Sequence, residues 1–379
     1  MSRTLLAVFA AACAAVALSA PAAQAKPHML VGLLDEASAL YGNPDTAYPI
    51  LKKLRVQVVR VNLYWGTTTF AIAKRRPAVA TDPEDPAYDW TLYDRAARYA
   101  DANGIQLLFT IWGTPKWANG GKPPRYAPTK ISDLQQFAYA AAQHFSGDVV
   151  DLNSQAVPAV KLWTAWNEPN QPFELAPQYK RVRGKWVMQS AIEYAKICKA
   201  VYTGVHSTLL SGEKVGCGVT SPRGNDNPGG KRAVPTPLSF MAAVRKAGLT
   251  KFDAWAHNPY AGTARETPST KPHSRGAVTL GNLDVMIKQI NKLWGKRRVW
   301  LTEYGYQTNP PDRTFGVSYT KQAEYLKQAF AVARKNPRVD MMLWFQLKDE
   351  PALSGWQSGL LTVRGKQKPA FTSFMRLPH

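Results

Sequence analysis

Short apolar runs alternate with amphipathic stretches from residue 29 almost to the end of the chain. The runs at 29–34, 58–62, 105–111, 160–166, 214–219, 252–257, 299–303 and 341–346 are rich in Val, Ile, Leu, Phe or Trp. Brief, continuously apolar segments of this kind predict strands buried on both faces. Between them, apolar residues recur with a helical period at 46–54, 92–103, 131–145, 189–206, 237–247, 282–293 and 320–335, and a weak closing segment follows at 371–375. Asp133 and Asn282 sit near two helix starts, where a side-chain oxygen can cap free amides. Gly104 and Gly248 follow two helix ends, where a left-handed residue commonly stops the helix.

Strands that alternate with helices pair in parallel through right-handed crossovers. Eight such units predict an α/β chain folded as one (β/α)8 TIM barrel, with every strand's C-terminal end on the same face. The long connections follow the second, fourth, fifth and sixth strands (64–90, 167–188, 220–236 and 258–280), whereas helix-to-strand links such as 102–104 are short. The elaborated loops therefore gather on the C-terminal face, where substrate-shaping loops belong.

The first residues stand outside this pattern. Arg3, an apolar stretch from Leu5 to Leu18 and Ala23-Gln24-Ala25 have the make-up of an export signal cleaved after Ala25. The reading is a secreted, extracellular protein: a signal peptide at 1–25 and one catalytic barrel at 26–379, without membrane insertion and acting as a monomer. Cys13 leaves with the signal. The remaining Cys198 and Cys217 either form one disulfide or are two small buried apolar side chains, and their spacing suits no metal motif.

The chain has 48 Lys and Arg against 26 Asp and Glu, a formal charge of +22. Such a balance suits nucleic acid, an anionic glycan or simply a solvated surface. The bases are scattered apart from Lys74-Arg75-Arg76 and the segment Lys180-Arg181-Val182-Arg183-Gly184-Lys185. With an export signal and no basic stripe, nucleic acid is not an expected partner. The second cluster makes an anionic or phosphorylated glycan a candidate.

The chemistry lies in two acids. Glu168 follows the fourth strand in "TAWNEPN", and Glu303 ends the seventh in "VWLTEYGYQT". Both project from one rim of a closed barrel. Paired carboxylates there suit glycosidic cleavage, one protonating the leaving oxygen and the other attacking the anomeric carbon. Arg60, in "VVRVNLYW", is too costly to bury without a carboxylate partner, and Glu303 is the candidate.

Trp-Asn-Glu-Pro-Asn after the fourth strand, with Leu-Thr-Glu-Tyr-Gly at the seventh, resembles the clan A retaining glycoside hydrolases, families 5 and 39 in particular. The resemblance implies that Glu168 is the acid/base, Glu303 the nucleophile, Asn167 a ligand of the sugar 2-hydroxyl and Arg60 a support for the nucleophile. In "FDAWAHNPYAG", aligning on Pro259-Tyr260 puts Asn258 where that clan has histidine. Tyr260 is then the expected partner of the nucleophile, with His257 a further candidate. The run "LWFQLKDEPALSGWQSGLL" resembles the clan's last strand, which implies that Trp344 floors the subsite at the cleaved bond. Tyr64, Trp65, Trp112 and Trp117 are aromatic residues near the same rim. Trp112 is the candidate among them for stacking on a sugar.

No zinc signature, nucleophile elbow or phosphate loop is present, so neither a cofactor nor a metal is expected. The expected activity is hydrolysis of O-glycosidic, β-linked bonds in a polysaccharide or oligosaccharide. The competing readings are a catalytically silent glycan- or wall-binding barrel and a transglycosidase that uses the same glutamates.

Overall fold

All eight apolar runs become strands: β1 (Leu30–Leu34), β2 (Val58–Tyr64), β3 (Gln106–Trp112), β4 (Leu162–Ala165), β5 (Lys214–Thr220), β6 (Ala254–His257), β7 (Arg298–Tyr304) and β8 (Val339–Phe345). The computed structural model describes residues 29–379 except 68, 152 and 153, so the leader at 1–25 and Cys13 lie outside the described residues. Each strand pairs in parallel with its neighbours in sequence, and β8 returns to β1 to close the barrel. Helices Pro44–Lys53, Thr91–Ala102, Ile131–His144, Gln189–Val205, Pro237–Lys246, Leu283–Trp294, Tyr319–Arg334 and Pro369–Met375 form the outer layer, all at predicted places.

Two packed layers follow from strand alternation. Val58, Leu108, Leu162, Ala254, Trp300, Met341 and Leu343 fill the barrel interior, while Val59, Phe109, Trp163, Leu301 and Trp344 face the helices. Trp300 is the largest interior side chain, and the room for it comes from Gly216. A Cβ at that position would lie 2.6 Å from the Trp300 ring. The indole N–H of Trp300 reaches Asp340 Oδ2 at 3.2 Å, so its one polar atom is not stranded.

Gly104 and Gly248 adopt φ of +67° and +95° and end their helices as expected. Asn282 accepts the Thr279 amide in a capping turn. Asp133 does not cap: its carboxylate is drawn off by Arg76, which also stacks 4.4 Å over Trp117. The basic segment near 180 adds an unforeseen antiparallel hairpin, Lys180–Val182 with Lys185–Val187.

Cys198, on helix Gln189–Val205, forms a disulfide with Cys217 on β5, with a Cα–Cα distance of 5.9 Å and a sequence separation of 19. Closing a loop of this size restricts the unfolded chain, worth about 3 kcal/mol. The double variant Cys198→Ser/Cys217→Ser should lose stability of that order in denaturant unfolding. An unchanged unfolding midpoint would contradict the pairing.

Candidate active site

Four strands aim the central groups, and irregular backbone does much of the aiming. Between β7 and β8 the register steps from Leu301↔Met342 to Tyr304↔Trp344, so Thr302 and Glu303 together stand opposite one residue. Val299, Leu301 and Tyr304 face the helices. Simple alternation would send Glu303 the same way as Leu301. The extra residue of this bulge turns its carboxylate inward. A second register step, between Gly218↔Ala256 and Thr220↔His257, isolates Val219, whose carbonyl accepts the Glu168 amide at 2.9 Å. Trp166 and Glu168 both adopt positive φ, +65° and +32°. Such conformations cost non-glycine residues about 1–2 kcal/mol each. Burial of the whole Trp166 indole, whose N–H reaches the Glu174 carbonyl at 2.7 Å, helps to hold the turn.

Arg60 is fully buried at the centre of the mouth. Its Nη1 donates to Glu303 Oε1 (2.8 Å) and to the Thr302 carbonyl (3.3 Å), Nη2 to Asn167 Oδ1 (2.8 Å), and Nε to Thr110 Oγ1 (2.8 Å). The Tyr260 hydroxyl donates to Glu303 Oε2 at 3.2 Å. Glu168 accepts from the Asn258 amide at 3.1 Å, and Asn258 in turn accepts from Thr302 Oγ1 at 2.8 Å. Thr302 therefore links the surroundings of the two glutamates. Burial first, and then the charge of Glu303, raise the pKa of Glu168, which favours its protonated form.

The cleft above these groups has a volume of about 1600 Å³. Glu168, Glu303, Asn167 and Tyr260 line it. Trp112 is half-buried beside it, packed against Tyr64 and Trp166. Two other candidates belong elsewhere. His257 is fully buried, its ring nitrogens at 2.8 Å from Thr220 Oγ1 and 3.1 Å from the Val278 carbonyl. Burial lowers its pKa to about 4. It is thus a neutral structural residue, and its neighbour Asn258 reaches the acid instead. Trp344 is likewise fully buried and faces the helix layer, with its N–H on the Ser358 carbonyl at 2.9 Å. Strand alternation gives the cleft-facing place to Phe345, whose ring meets Trp356 edge-on.

Sequence reasoning also missed acids lining the cleft. Glu36, just past β1, accepts from the Asn62 amide (2.6 Å) and from the Tyr64 and Tyr41 hydroxyls (2.7 and 2.8 Å). Glu174 returns to the cleft from the loop that carries Glu168, and burial followed by the charge of Glu303 raises its pKa to about 7. Neither belongs to a motif: Glu36 is held through the Tyr41 and Tyr64 hydroxyls, and five loop residues separate Glu174 from Glu168, a spacing with no readable signature. With Glu350 and Asp312 added, carboxylates outnumber Arg223 and Arg313 among the charged side chains of the cleft. The basic segment Lys180–Lys185 is absent from that lining. Among the described residues, no group of His, Cys, Asp or Glu could hold a metal ion, and no helix is long and apolar enough to cross a membrane.

The charge of Glu303 raises the Glu168 pKa more than that of Glu174 does. Removing either negative charge eases ionisation of Glu168, so its pKa should fall in Glu303→Gln and fall less in Glu174→Gln. Carboxyl carbon NMR titration reads both shifts; an unmoved Glu168 in Glu303→Gln would show that the two acids do not interact.

Residues 273–374 match the family model described as glycosyl hydrolase catalytic core, a stretch that includes Glu303. No curated protein matches the chain by sequence. Among solved structures, a family 39 glycoside hydrolase from the gut symbiont Bacteroides cellulosilyticus WH2 is similar at TM-score 0.61 and 18% identity, over 91% of this chain and 62% of that one. A monomeric beta-xylosidase from Caulobacter crescentus CB15 is similar at TM-score 0.56 and 16% identity, over 92% of this chain and 66% of that one. Fungal beta-1,4-galactanases are similar at TM-score 0.59 and 16% identity, over 92% of this chain and 99% of theirs. The chain thus spans less than two thirds of the first two, and at these identities the likeness is one of fold. Its resemblance is to glycoside hydrolases on both counts, in sequence over 273–374 and in fold over nearly all of the chain.

Proposed function

We propose that this glycosyl hydrolase core belongs to an exported enzyme that cleaves β-linked glycans with retention at the anomeric carbon. One observation carries the reading: two glutamates share a cleft in opposed environments. The carboxylate of Glu303 is ion-paired to Arg60 at 2.8 Å, while burial and that neighbouring charge favour a protonated Glu168.

In the first step Glu168 gives its proton to the glycosidic oxygen as the bond to the anomeric carbon breaks. A Glu303 oxygen forms the new bond to that carbon, giving a glycosyl ester. Its Oε2 is the freer atom, engaged among the described residues by the longer bond from Tyr260 alone. Loss of charge on Glu303 removes one cause of the raised Glu168 pKa, and Glu168, now ionised, can take a proton from water. The water attacks the same carbon from the vacated face and releases Glu303, so two inversions give retention. Asn167, fixed by Arg60, is placed to meet the sugar 2-hydroxyl.

A volume of about 1600 Å³ exceeds the ~300–1,000 Å³ of a typical small-ligand site and supports an oligosaccharide or polysaccharide substrate. The disulfide supports an oxidising, extracellular setting.

On a β-aryl glycoside, proton NMR should show the β-hemiacetal first, with the α-anomer appearing only by mutarotation. Initial release of the α-anomer would refute retention. Glu303→Ala should lower kcat by roughly ten-thousand-fold or more, and Glu168→Ala by about a hundred- to ten-thousand-fold on substrates with poor leaving groups. Azide should restore turnover to each variant as a glycosyl azide, of β configuration from Glu168→Ala and α from Glu303→Ala.

A further inference from the structure

The mouth of the barrel is divided by charge. The charged side chains of its cleft are mainly carboxylates, yet one stretch of the loop after β3 and one of the loop after β4 carry bases and no acid. Stretch 113–130 contains Lys122 and Arg125 among its bases and no acid; stretch 176–188 contains Lys180, Arg181, Arg183 and Lys185 and no acid. None of these six is ion-paired among the described residues. The two loops adjoin, since Tyr126 bridges to Ala176 and the Ala176 amide donates to the Arg125 carbonyl.

The hairpin presents these charges on exposed backbone with apolar surface between them. Its register pairs Lys180 with Val187, Arg181 with Trp186 and Val182 with Lys185. Paired residues share a face, so Lys180 and Lys185 lie on one side with the two valines, and Arg181 and Trp186 on the other. Val182 is 45% exposed and Trp186 43% exposed, and the Arg181 guanidinium lies 5.0 Å from the Trp186 ring. Across the loop boundary, Lys122 and Arg125 each lie 5.6 Å from the Tyr126 ring. Like charges on one side of a short ladder repel each other, and a polyanion relieves that repulsion. Aromatic rings between the charges suit the C–H faces of sugars.

We infer that this hairpin and the adjoining loop form a docking surface, outside the cleft, for an anionic polysaccharide. The hairpin belongs to the loop that carries the proton donor Glu168. If the proposed function holds, the anionic segment therefore lies on the leaving-group side of the scissile bond. The carboxylates of the cleft disfavour anionic sugars at the cleavage point, which separates the segment that is held from the bond that is cut. The shared ligand chemistry is a regular array of carboxylate or sulfate groups on a sugar chain.

Binding to polygalacturonate and to dextran sulfate tests this without reference to catalysis, and each probe identifies one anion. The fourfold variant Lys180→Gln/Arg181→Gln/Arg183→Gln/Lys185→Gln should bind at least one of them about tenfold more weakly than wild type, with a shallower salt dependence. A matched variant, Lys246→Gln/Lys251→Gln/Lys292→Gln/Lys296→Gln, removes the same charge from exposed sites near the opposite end of the barrel and should bind nearly as wild type. Equal weakening in both variants, no binding by wild type, or tighter binding to duplex DNA than to either glycan would overturn the proposal. The fold is monitored by circular dichroism. Loss of hydrolysis with intact hairpin-dependent binding would count against the proposed function alone.

Discussion

A guanidinium buried at the mouth of a parallel barrel has to be matched by negative or acceptor groups, and much of this site is organised by that requirement. Arg60 has no exposed surface, and it donates to Glu303, the Thr302 carbonyl, Asn167 and Thr110. An unpaired charge in that position would cost several kcal/mol, so the four acceptors and the cation fix one another. The consequence is geometric: the Glu303 carboxylate on β7, the Asn167 amide after β4 and the Thr110 hydroxyl on β3 share one reference point. Thr110 extends it to Thr164 on β4, 2.7 Å away.

The second glutamate is set differently. Among the described residues Glu168 has no ion-pair partner; its surroundings are Asn258, the Val219 carbonyl at its own amide and the charges of neighbouring carboxylates. A pair in which one member is ion-paired and the other is desolvated can divide the roles of attack and proton transfer with two identical side chains. The link through Thr302 and Asn258 ties the two halves together. Farther out, the fully buried Lys368 bonds Asp349, Thr308 and the Gln357 carbonyl, fastening the loop after β7 to the loop after β8, which supplies Trp356 and Glu350 to the cleft. Asp35 does the same between the ends of β1 and β8, accepting the Leu347 amide at 2.8 Å.

The barrel itself was legible because both-face burial makes each strand a brief apolar run, and because helix-to-strand links are short. Arg60 was legible for an energetic reason, a cation within such a run. The misplacements arise where alternation and backbone irregularity compete. Trp344 was expected in the cleft from the resemblance of its run to the clan's last strand, but strand parity sends it to the helices and Phe345 to the cleft. His257 and Asn258 show the same one-residue ambiguity, resolved in favour of Asn258. In contrast, the bulge that turns Glu303 inward has no marker in "VWLTEYG", and the inward side of a barrel strand cannot be read from an apolar run. Glu36 and Glu174 reach the cleft through loop conformation, which local propensity does not specify.

The central claim is that Glu303, held by Arg60, becomes covalently bonded to the sugar. Incubation with a panel of 2-deoxy-2-fluoro-β-glycosyl fluorides of gluco, galacto and xylo configuration, followed by intact-mass analysis and peptide mapping, tests it most directly. The account predicts one fluoroglycosyl equivalent per chain, located on the peptide containing Glu303 and absent from Glu303→Gln. An adduct on Glu168, Glu174 or any other side chain would contradict it.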